Sequence, residues 1–146
     1  MDSARALDDR HRVLALEEAN LLLPVVRTYA ARINRRSALR RRLENEMLVL
    51  EVISDVSVQT GSDFQEFVDK NVRYHRLGGQ VDALVDRLAM IGAVVRDRDA
   101  SFVDFTCLRR DGLAVFCWRR GDDRIGHWHL LHESHGQRRR LRRGEL

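Results

Sequence analysis

The sequence concentrates its histidines near the C-terminal end, where four of the six fall within nine residues. These four are His127, His129, His132 and His135. Side chains two residues apart on a strand point to the same face, so His127 and His129 can converge on one ion. With Asp122 as a third ligand, the pair predicts a site for zinc, nickel or iron. Cys117 and Asp104, on neighbouring predicted strands, are alternatives for that third position.

The histidines have a second interpretation, as surface residues that precede a polar and basic tail. The cysteines Cys107 and Cys117 form no Cys-x-x-Cys motif, which argues against a zinc ribbon or a thioredoxin-type site. Cys117 is expected to be a small buried hydrophobic residue rather than a nucleophile. Trp118 and Trp128 are expected to line the core or a groove.

Asp104 lies inside the otherwise apolar run Phe-Val-Asp-Phe. Strand alternation places it on the solvent face by default. If it is buried instead, it needs a partner, because an isolated buried carboxylate is costly. Arg138, Trp128 and His129 are the candidate partners.

Polar residues at the start of the first predicted helix also have two interpretations. In one, Glu17 and Glu18 complement the positive end of the helix dipole, at a terminus where Ala15 provides no side-chain cap. In the other, Glu18 or Asn20 reaches across to the sheet. The residue types alone leave both open.

Hydrophobic periodicity predicts the elements that must position these residues. Helices are predicted over residues 16–57 and 63–91, and strands over 93–96, 102–108, 113–118 and 125–131. Pro24 predicts a kink or a restart in the first helix. Gly78-Gly79 predicts either a bend or a close packing contact in the second, and Asp111-Gly112 predicts a type I′ hairpin turn. The fold class is therefore α+β, a long antiparallel helical hairpin followed by a small three- to four-stranded antiparallel sheet.

The composition fits one soluble domain with a hydrophobic core, since 44% of the 146 residues are hydrophobic and 33% are charged. We expect a single domain over residues 13–135, between a disordered leader at 1–12 and a basic tail at 136–146 that frays. The leader has no apolar signal segment, and no run approaches the roughly 18–20 apolar residues that cross a bilayer. The expected location is the cytoplasm, without membrane insertion and with reduced thiols.

Arginine accounts for 25 of the 26 basic residues, and two stretches are dense in it. The basic patch comprises Arg35, Arg36 and Arg40 in the first helix and Arg138, Arg139, Arg140, Arg142 and Arg143 in the tail. Such patches can bind phosphate backbones without reading sequence. No helix-turn-helix motif accompanies them, which favours a solvated helix face and a tail free to dock on an acidic partner.

Three segments carry a family resemblance: LALEEANLLLPVVR (14–27), MIGAVVRDRDASFVDF (90–105) and AVFCWRRGDDRIGHWH (114–129). They resemble a bacterial family of unknown function, some members of which carry the label "division initiation protein". The resemblance implies a cluster of motif residues, which are Glu18, Asn20, Asp104, Cys117, Trp118, Asp122, Trp128, His129 and Arg138. Asp122 stands where the family usually has glutamate, and Leu130 and His132 replace its usual acids. The resemblance implies the fold and no settled activity.

Three functional hypotheses follow. The first is a small non-enzymatic protein that acts through protein–protein association, as a homo-oligomer or an accessory subunit, because the long hairpin leaves apolar surface that a small sheet cannot cover. The second is a metal-binding protein or metal-dependent enzyme centred on His129. The third is a basic nucleic-acid accessory protein without sequence specificity. Convergence of the motif residues in one pocket would favour a shared functional site.

Overall fold

The computed structural model describes residues 12–56 and 61–144 of the chain. Its elements are α1 (Leu16–Val56), α2 (Gly61–Met90), β1 (Ala93–Val95), β2 (Phe102–Arg109), β3 (Gly112–Arg119), β4 (His127–Leu130) and β5 (Arg139–Arg140), with a 3₁₀ turn at His135–Gln137. The α+β class with a helical hairpin is confirmed. No helix in the described ranges has a stretch both long and apolar enough to cross a membrane. Residues 1–11 of the predicted leader and the last two residues of the tail lie outside these ranges.

The five strands form one antiparallel meander in the order β1-β2-β3-β4-β5. The fifth strand corrects the prediction of a frayed tail, because Trp128 of β4 pairs with Arg139 of β5. The backbone N–H of Leu141 then donates to the carbonyl of Gly126 over 2.9 Å. Pairing of this kind needs only backbone groups, so the basic composition of the segment did not indicate it.

Of the kink or restart predicted at Pro24, the restart does not occur, since α1 runs on through this residue. Proline costs a helix interior roughly 3 kcal/mol. Leu23 and Val26, on either side of Pro24, are both buried in the core. Such tertiary packing supplies most of the stability of helices in proteins, so it offsets the cost of the proline.

The second helix is also continuous, through Gly78-Gly79. Of the bend and the close packing contact predicted at this pair, the structure shows the close packing contact, which lies at Gly78. A Cβ atom on buried Gly78 would lie 3.0 Å from Nη2 of Arg40. That guanidinium lies over the ring of Tyr74, 4.2 Å from its centroid.

The β2–β3 hairpin exists as predicted, but its turn differs from the predicted type I′. Arg109 pairs with Gly112, so the two loop residues are Arg110 and Asp111. Among the described residues, Ala100 is the only non-glycine residue with positive φ, which excludes a type I′ turn at these loop positions. Gly112 takes the positive φ instead, at 124°.

Both faces of the sheet are buried. The face toward the helices carries side chains of the main core, which are Val103, Phe105, Cys107, Ala114, Phe116 and Trp118. The buried residues of the second face are Asp104, Thr106, Val115, Cys117 and His129. Residues 131–138, hereafter the covering segment, lie over this second face. His135 stacks on Phe102 with ring centroids 4.0 Å apart, and Arg138 lies 5.0 Å from the same ring.

Candidate metal centre

Three side chains with metal-ligand chemistry meet on the second face of the sheet. Asp104 of β2 lies opposite Cys117 of β3. Cys117 in turn lies opposite His127 of β4, so His129, two residues further along, points to the same face. One ligand atom each from Asp104, Cys117 and His129 lies within 4.8 Å of the other two. All three residues are at most 2% exposed.

The imidazole of His129 presents a lone pair to this cluster. Its Nδ1 lies 2.8 Å from the carbonyl oxygen of Leu130, so we assign the N–H to Nδ1. In the neutral ring, Nε2 is then an acceptor, and it lies 3.3 Å from Oδ2 of Asp104. Among the described residues, Nε2 has no hydrogen-bond partner. Two facing acceptors require a positive charge between them, either a proton or a metal ion.

The carboxylate of Asp104 is only half satisfied. Its Oδ2 accepts a hydrogen bond of 2.8 Å from Nε of Arg96, whose side chain is 45% exposed. Its Oδ1 is buried and has no hydrogen-bond partner within the described ranges. Burial of an acceptor without a hydrogen bond costs the free energy of its desolvation. A metal ion would offset that cost, so Oδ1 is a candidate ligand atom.

The thiol of Cys117 lies between a carboxylate and a guanidinium. Burial raises its pKa to about 12, and the charge of Asp104 adds to the increase while Arg138 of the covering segment opposes it. The metal-free group is therefore a neutral thiol beside the carboxylate of Asp104. Burial also raises the pKa of Cys107, on the other face, to about 11. Neither thiol has the lowered pKa of a cysteine nucleophile.

The sequence matches the family described as "Uncharacterized conserved protein (DUF2203)" over residues 12–141. The chain belongs to the DUF2203 family. The match spans every element from α1 to β5 and therefore includes the Asp-Cys-His cluster. No curated protein and no solved structure matches the chain. Because the DUF2203 description names no activity, the function has to be argued from the geometry.

In this DUF2203 chain, Glu18 and Asn20 lie apart from the cluster and position α1. Oε1 of Glu18 accepts a 3.0 Å hydrogen bond from the backbone N–H of Ala15, which is one half of a capping box. Oδ1 of Asn20 accepts one of 2.9 Å from the N–H of Ile125. Asn20 thus reaches the loop between β3 and β4, whereas the side chain of Glu18 stays at the N-terminus of α1, where the helix-dipole interpretation places it.

The predicted ligands Asp122 and His127 do not belong to the three-residue group. The carbonyl of Asp122 accepts a hydrogen bond from Nε1 of buried Trp118, and its carboxylate lies 3.4 Å from Arg119. His127 is half-buried, and burial, followed by the charge of Arg138, lowers its pKa. Of the ligand set predicted first from the sequence, only His129 lies in the cluster.

Several arginines of the predicted basic patch make contacts within the DUF2203 fold. Arg36 donates to Gln80 over 3.1 Å. Arg139 donates to both carboxylate oxygens of Glu133 at 2.7 Å, and this pairing lowers the pKa of Glu133 to about 2. Trp128 packs against the core, and the guanidinium groups of Arg109 and Arg139 lie 3.5 and 5.0 Å from its ring centroid.

Arg96 is the member of the site that sequence reasoning missed. Val94 of β1 lies opposite Asp104. Arg96 follows Val94 by two residues, so alternation places both on the same face. That spacing could have indicated the ion pair, had the pairing register of β1 and β2 been known.

Proposed function

We propose that the protein binds one divalent transition-metal ion between Asp104, Cys117 and His129. The observation that carries this proposal is the convergence of a carboxylate, a thiol and an imidazole in one buried site. A tetrahedral zinc ion with bonds of about 2.0–2.1 Å to nitrogen and oxygen holds those atoms about 3.3 Å apart. The separation between Nε2 of His129 and Oδ2 of Asp104 is 3.3 Å.

The mixed donor set favours zinc or a similar borderline ion over calcium or magnesium, which take oxygen ligands. The hydrogen bond from His129 to the carbonyl of Leu130 supports this choice. A metal-binding histidine commonly donates its second ring N–H in this way, which fixes the tautomer and the ring orientation. A water molecule or His127, the cross-strand neighbour of Cys117, takes the fourth position.

The charges of the site are compatible with a divalent ion. On binding, Cys117 loses its proton to solvent, so the thiolate and the carboxylate of Asp104 together balance the two charges of the ion. The guanidinium of Arg138 favours the thiolate, and together with Arg96 it leaves the loaded site with a net positive charge. Arg96 keeps its hydrogen bond to Oδ2, and the second lone pair of this oxygen, which lies 3.3 Å from Nε2 of His129, is available to the metal. The half-exposed position of Arg96 lets solvent screen its charge.

Burial favours a structural ion over a catalytic one. All three ligands are at most 2% exposed, and the covering segment lies over the face that holds them. A catalytic ion keeps a position open to substrate, whereas a structural ion is enclosed and stabilises the fold. The proposed ion would join three neighbouring strands beneath the covering segment. The free cysteines suit the cytoplasmic location that belongs to this proposal.

The test is metal analysis of the full chain, purified without a histidine tag and without chelators, by inductively coupled plasma mass spectrometry. We expect about one equivalent of zinc or another transition metal per chain. Cys117→Ser should lose the ion. Cys107→Ser is the matched control, because this buried cysteine lies on the opposite face, and it should keep the ion.

Cobalt substitution gives a second readout that does not depend on what the expression host supplies. The near-ultraviolet charge-transfer band of a thiolate–cobalt bond should be present in Cys107→Ser and absent in Cys117→Ser. Circular dichroism verifies that both variants fold. Less than about a tenth of an equivalent after incubation with zinc and gel filtration would overturn the proposal. Equal loss of bound metal in Cys117→Ser and Cys107→Ser would also overturn the proposal.

Protein–protein association is a second candidate function, and the exposed apolar side chains at the far end of the hairpin favour it. Two of them are Leu48 and Val52, which are 53% and 64% exposed. A role in nucleic-acid binding through the basic patch receives less support, because Arg36, Arg40 and Arg139 make the internal contacts described above.

A further inference from the structure

Charge is strongly segregated along the chain. Residues 43–69 contain seven acidic residues and no lysine, arginine or histidine. These acids are Glu44, Glu46, Glu51, Asp55, Asp63, Glu66 and Asp69. The rest of the chain holds all 26 basic residues and 15 acidic ones. A protein of net charge +4 therefore carries one acidic region.

This acidic region is the far end of the helical hairpin. It comprises the last part of α1 and the first part of α2. The main core takes no residue of α1 beyond Ile33 and none of α2 before Val81. The far end therefore packs helix against helix without the sheet beneath it.

Four apolar side chains of α1 are exposed there and form what we call the tip patch. They are Leu48, Val49, Val52 and Ile53, which are 46–64% exposed. The same four residues line a shallow groove. At about 100° per residue, Glu44 and Glu51 fall within roughly 60° of Leu48 on the helix, so an acidic row borders the patch.

A second groove adjoins the tip patch and shares Val49 with it. Glu46 of α1 and Glu66 of α2 line this second groove. Lys70 lies 2.7 Å from Glu46 and 3.6 Å from Glu66 and neutralises one of the two charges. Arg42 also lies 3.4 Å from Glu46, so the charges of this second groove are balanced and the acidic border of the tip patch consists of Glu44 and Glu51.

We propose that the tip patch docks a basic amphipathic helix of another protein. An apolar stripe bordered by acids is complementary to a helix with an apolar face and flanking lysine or arginine residues. Charge argues against a second copy of this chain, because two tip patches in contact would bring the Glu44 and Glu51 rows of both copies together. It also argues against an anionic membrane surface, which attracts basic segments. This partner chemistry deepens the association hypothesis and is independent of the metal site.

The test uses a fluorescently labelled 18-residue peptide of leucine and lysine, with leucines at helical spacing along one face. Binding to the full chain is measured by fluorescence anisotropy at low and high salt. We expect binding that weakens as salt rises. A scrambled peptide of the same composition, which has no apolar stripe, should bind roughly tenfold or more weakly.

Variants of the chain locate the binding surface. Glu44→Lys/Glu51→Lys should weaken binding roughly tenfold, because two attractive pairs become repulsive. Val52→Ser should also weaken it. The matched controls are Asp86→Lys, an exposed acid near the sheet end of α2, and Leu21→Ser, an 80% exposed leucine at the start of α1. Both controls should bind like the wild type.

Three results would overturn the proposal. The first is equal binding of the stripe and scrambled peptides. The second is unchanged binding by Glu44→Lys/Glu51→Lys. The third is a wild-type dimer in size-exclusion chromatography with light scattering that becomes monomeric in Val52→Ser, which would assign the tip patch to a second copy. None of these results depends on metal content, so they leave the Asp-Cys-His site untouched.

Discussion

Replacement of Arg96 by methionine should destabilise the metal-free protein, and zinc should restore much of the loss. Methionine keeps an unbranched apolar stem and removes the guanidinium that donates to Asp104 over 2.8 Å. The carboxylate, with its side chain 2% exposed, then lies in a buried site without this ion pair. A divalent ion bound between Asp104, Cys117 and His129 would replace the missing positive charge.

The magnitude follows from burial. Removal of one partner from a fully buried ion pair costs roughly 3–5 kcal/mol. The 45% exposure of Arg96 reduces this, since solvent screens its charge, to about 2–3 kcal/mol. For a chain of this length, that loss lowers the melting temperature by about 6–9 °C.

The assay is urea denaturation followed by circular dichroism, first in excess EDTA and then in a small excess of zinc chloride. The difference in unfolding free energy between wild type and Arg96→Met should shrink when zinc is present. Asp104→Asn/Arg96→Met is the control, because it removes the buried charge and a ligand together, and zinc should not stabilise it. A loss below about 0.5 kcal/mol in EDTA would refute the ion-pair argument. An unchanged difference in zinc would refute the metal argument.

Three further predictions concern the parts of the fold that position the site. Asn20→Ala removes the acceptor of the Ile125 N–H and should lower the free energy of unfolding by about 1–3 kcal/mol in urea denaturation. Asn20→Asp keeps an acceptor and should lose less stability, so equal losses in the two variants would contradict this role. Glu133 has a pKa lowered from 4.5 to about 2, so its ion pair stabilises the fold above pH 4.5 and is lost as the pH falls toward about 2. The stability difference between wild type and Glu133→Gln should therefore shrink over that interval, and a constant difference would count against the pairing. Gly79→Ala, with no atom within 4 Å of the new Cβ, should raise stability by about 0.5–1 kcal/mol in thermal unfolding. Gly78→Ala should gain less, because its Cβ displaces the guanidinium of Arg40, and an equal gain would show that this contact has no energetic weight.

The helical hairpin and the meander were predictable because each follows from a local period. Apolar residues at three-to-four spacing predicted both helices, and alternation with turn residues predicted β2 and β3. Local signals failed where tertiary packing outweighs them. Pro24 predicted a kink or a restart, and burial of Leu23 and Val26 on either side keeps α1 continuous without a restart.

The composition of the site was only partly predictable, since it depends on what covers the second face of the sheet. Alternation placed Asp104 in solvent, which is wrong because the covering segment lies over that face. His129 was correctly singled out as a candidate partner of a buried Asp104, and the two lie 3.3 Å apart. The Cys117 position next to them depends on the pairing register between β2 and β3, which no local pattern reveals.

The tip patch was equally hard to identify from periodicity alone. The long hairpin was expected to leave apolar surface that the small sheet cannot cover, but the sequence did not indicate that the exposed residues would be Leu48, Val49, Val52 and Ile53. Helical periodicity shows which residues share a face, whereas the position of the sheet decides how much of that face is covered.

Zinc K-edge X-ray absorption spectroscopy of the zinc-loaded, untagged protein tests the proposed metal centre most directly. We expect one sulfur at about 2.3 Å and two or three nitrogen or oxygen ligands at about 2.0–2.1 Å from the ion, with the sulfur signal retained in Cys107→Ser and absent from Cys117→Ser. A spectrum with only nitrogen and oxygen ligands in the wild type would contradict a site that contains Cys117.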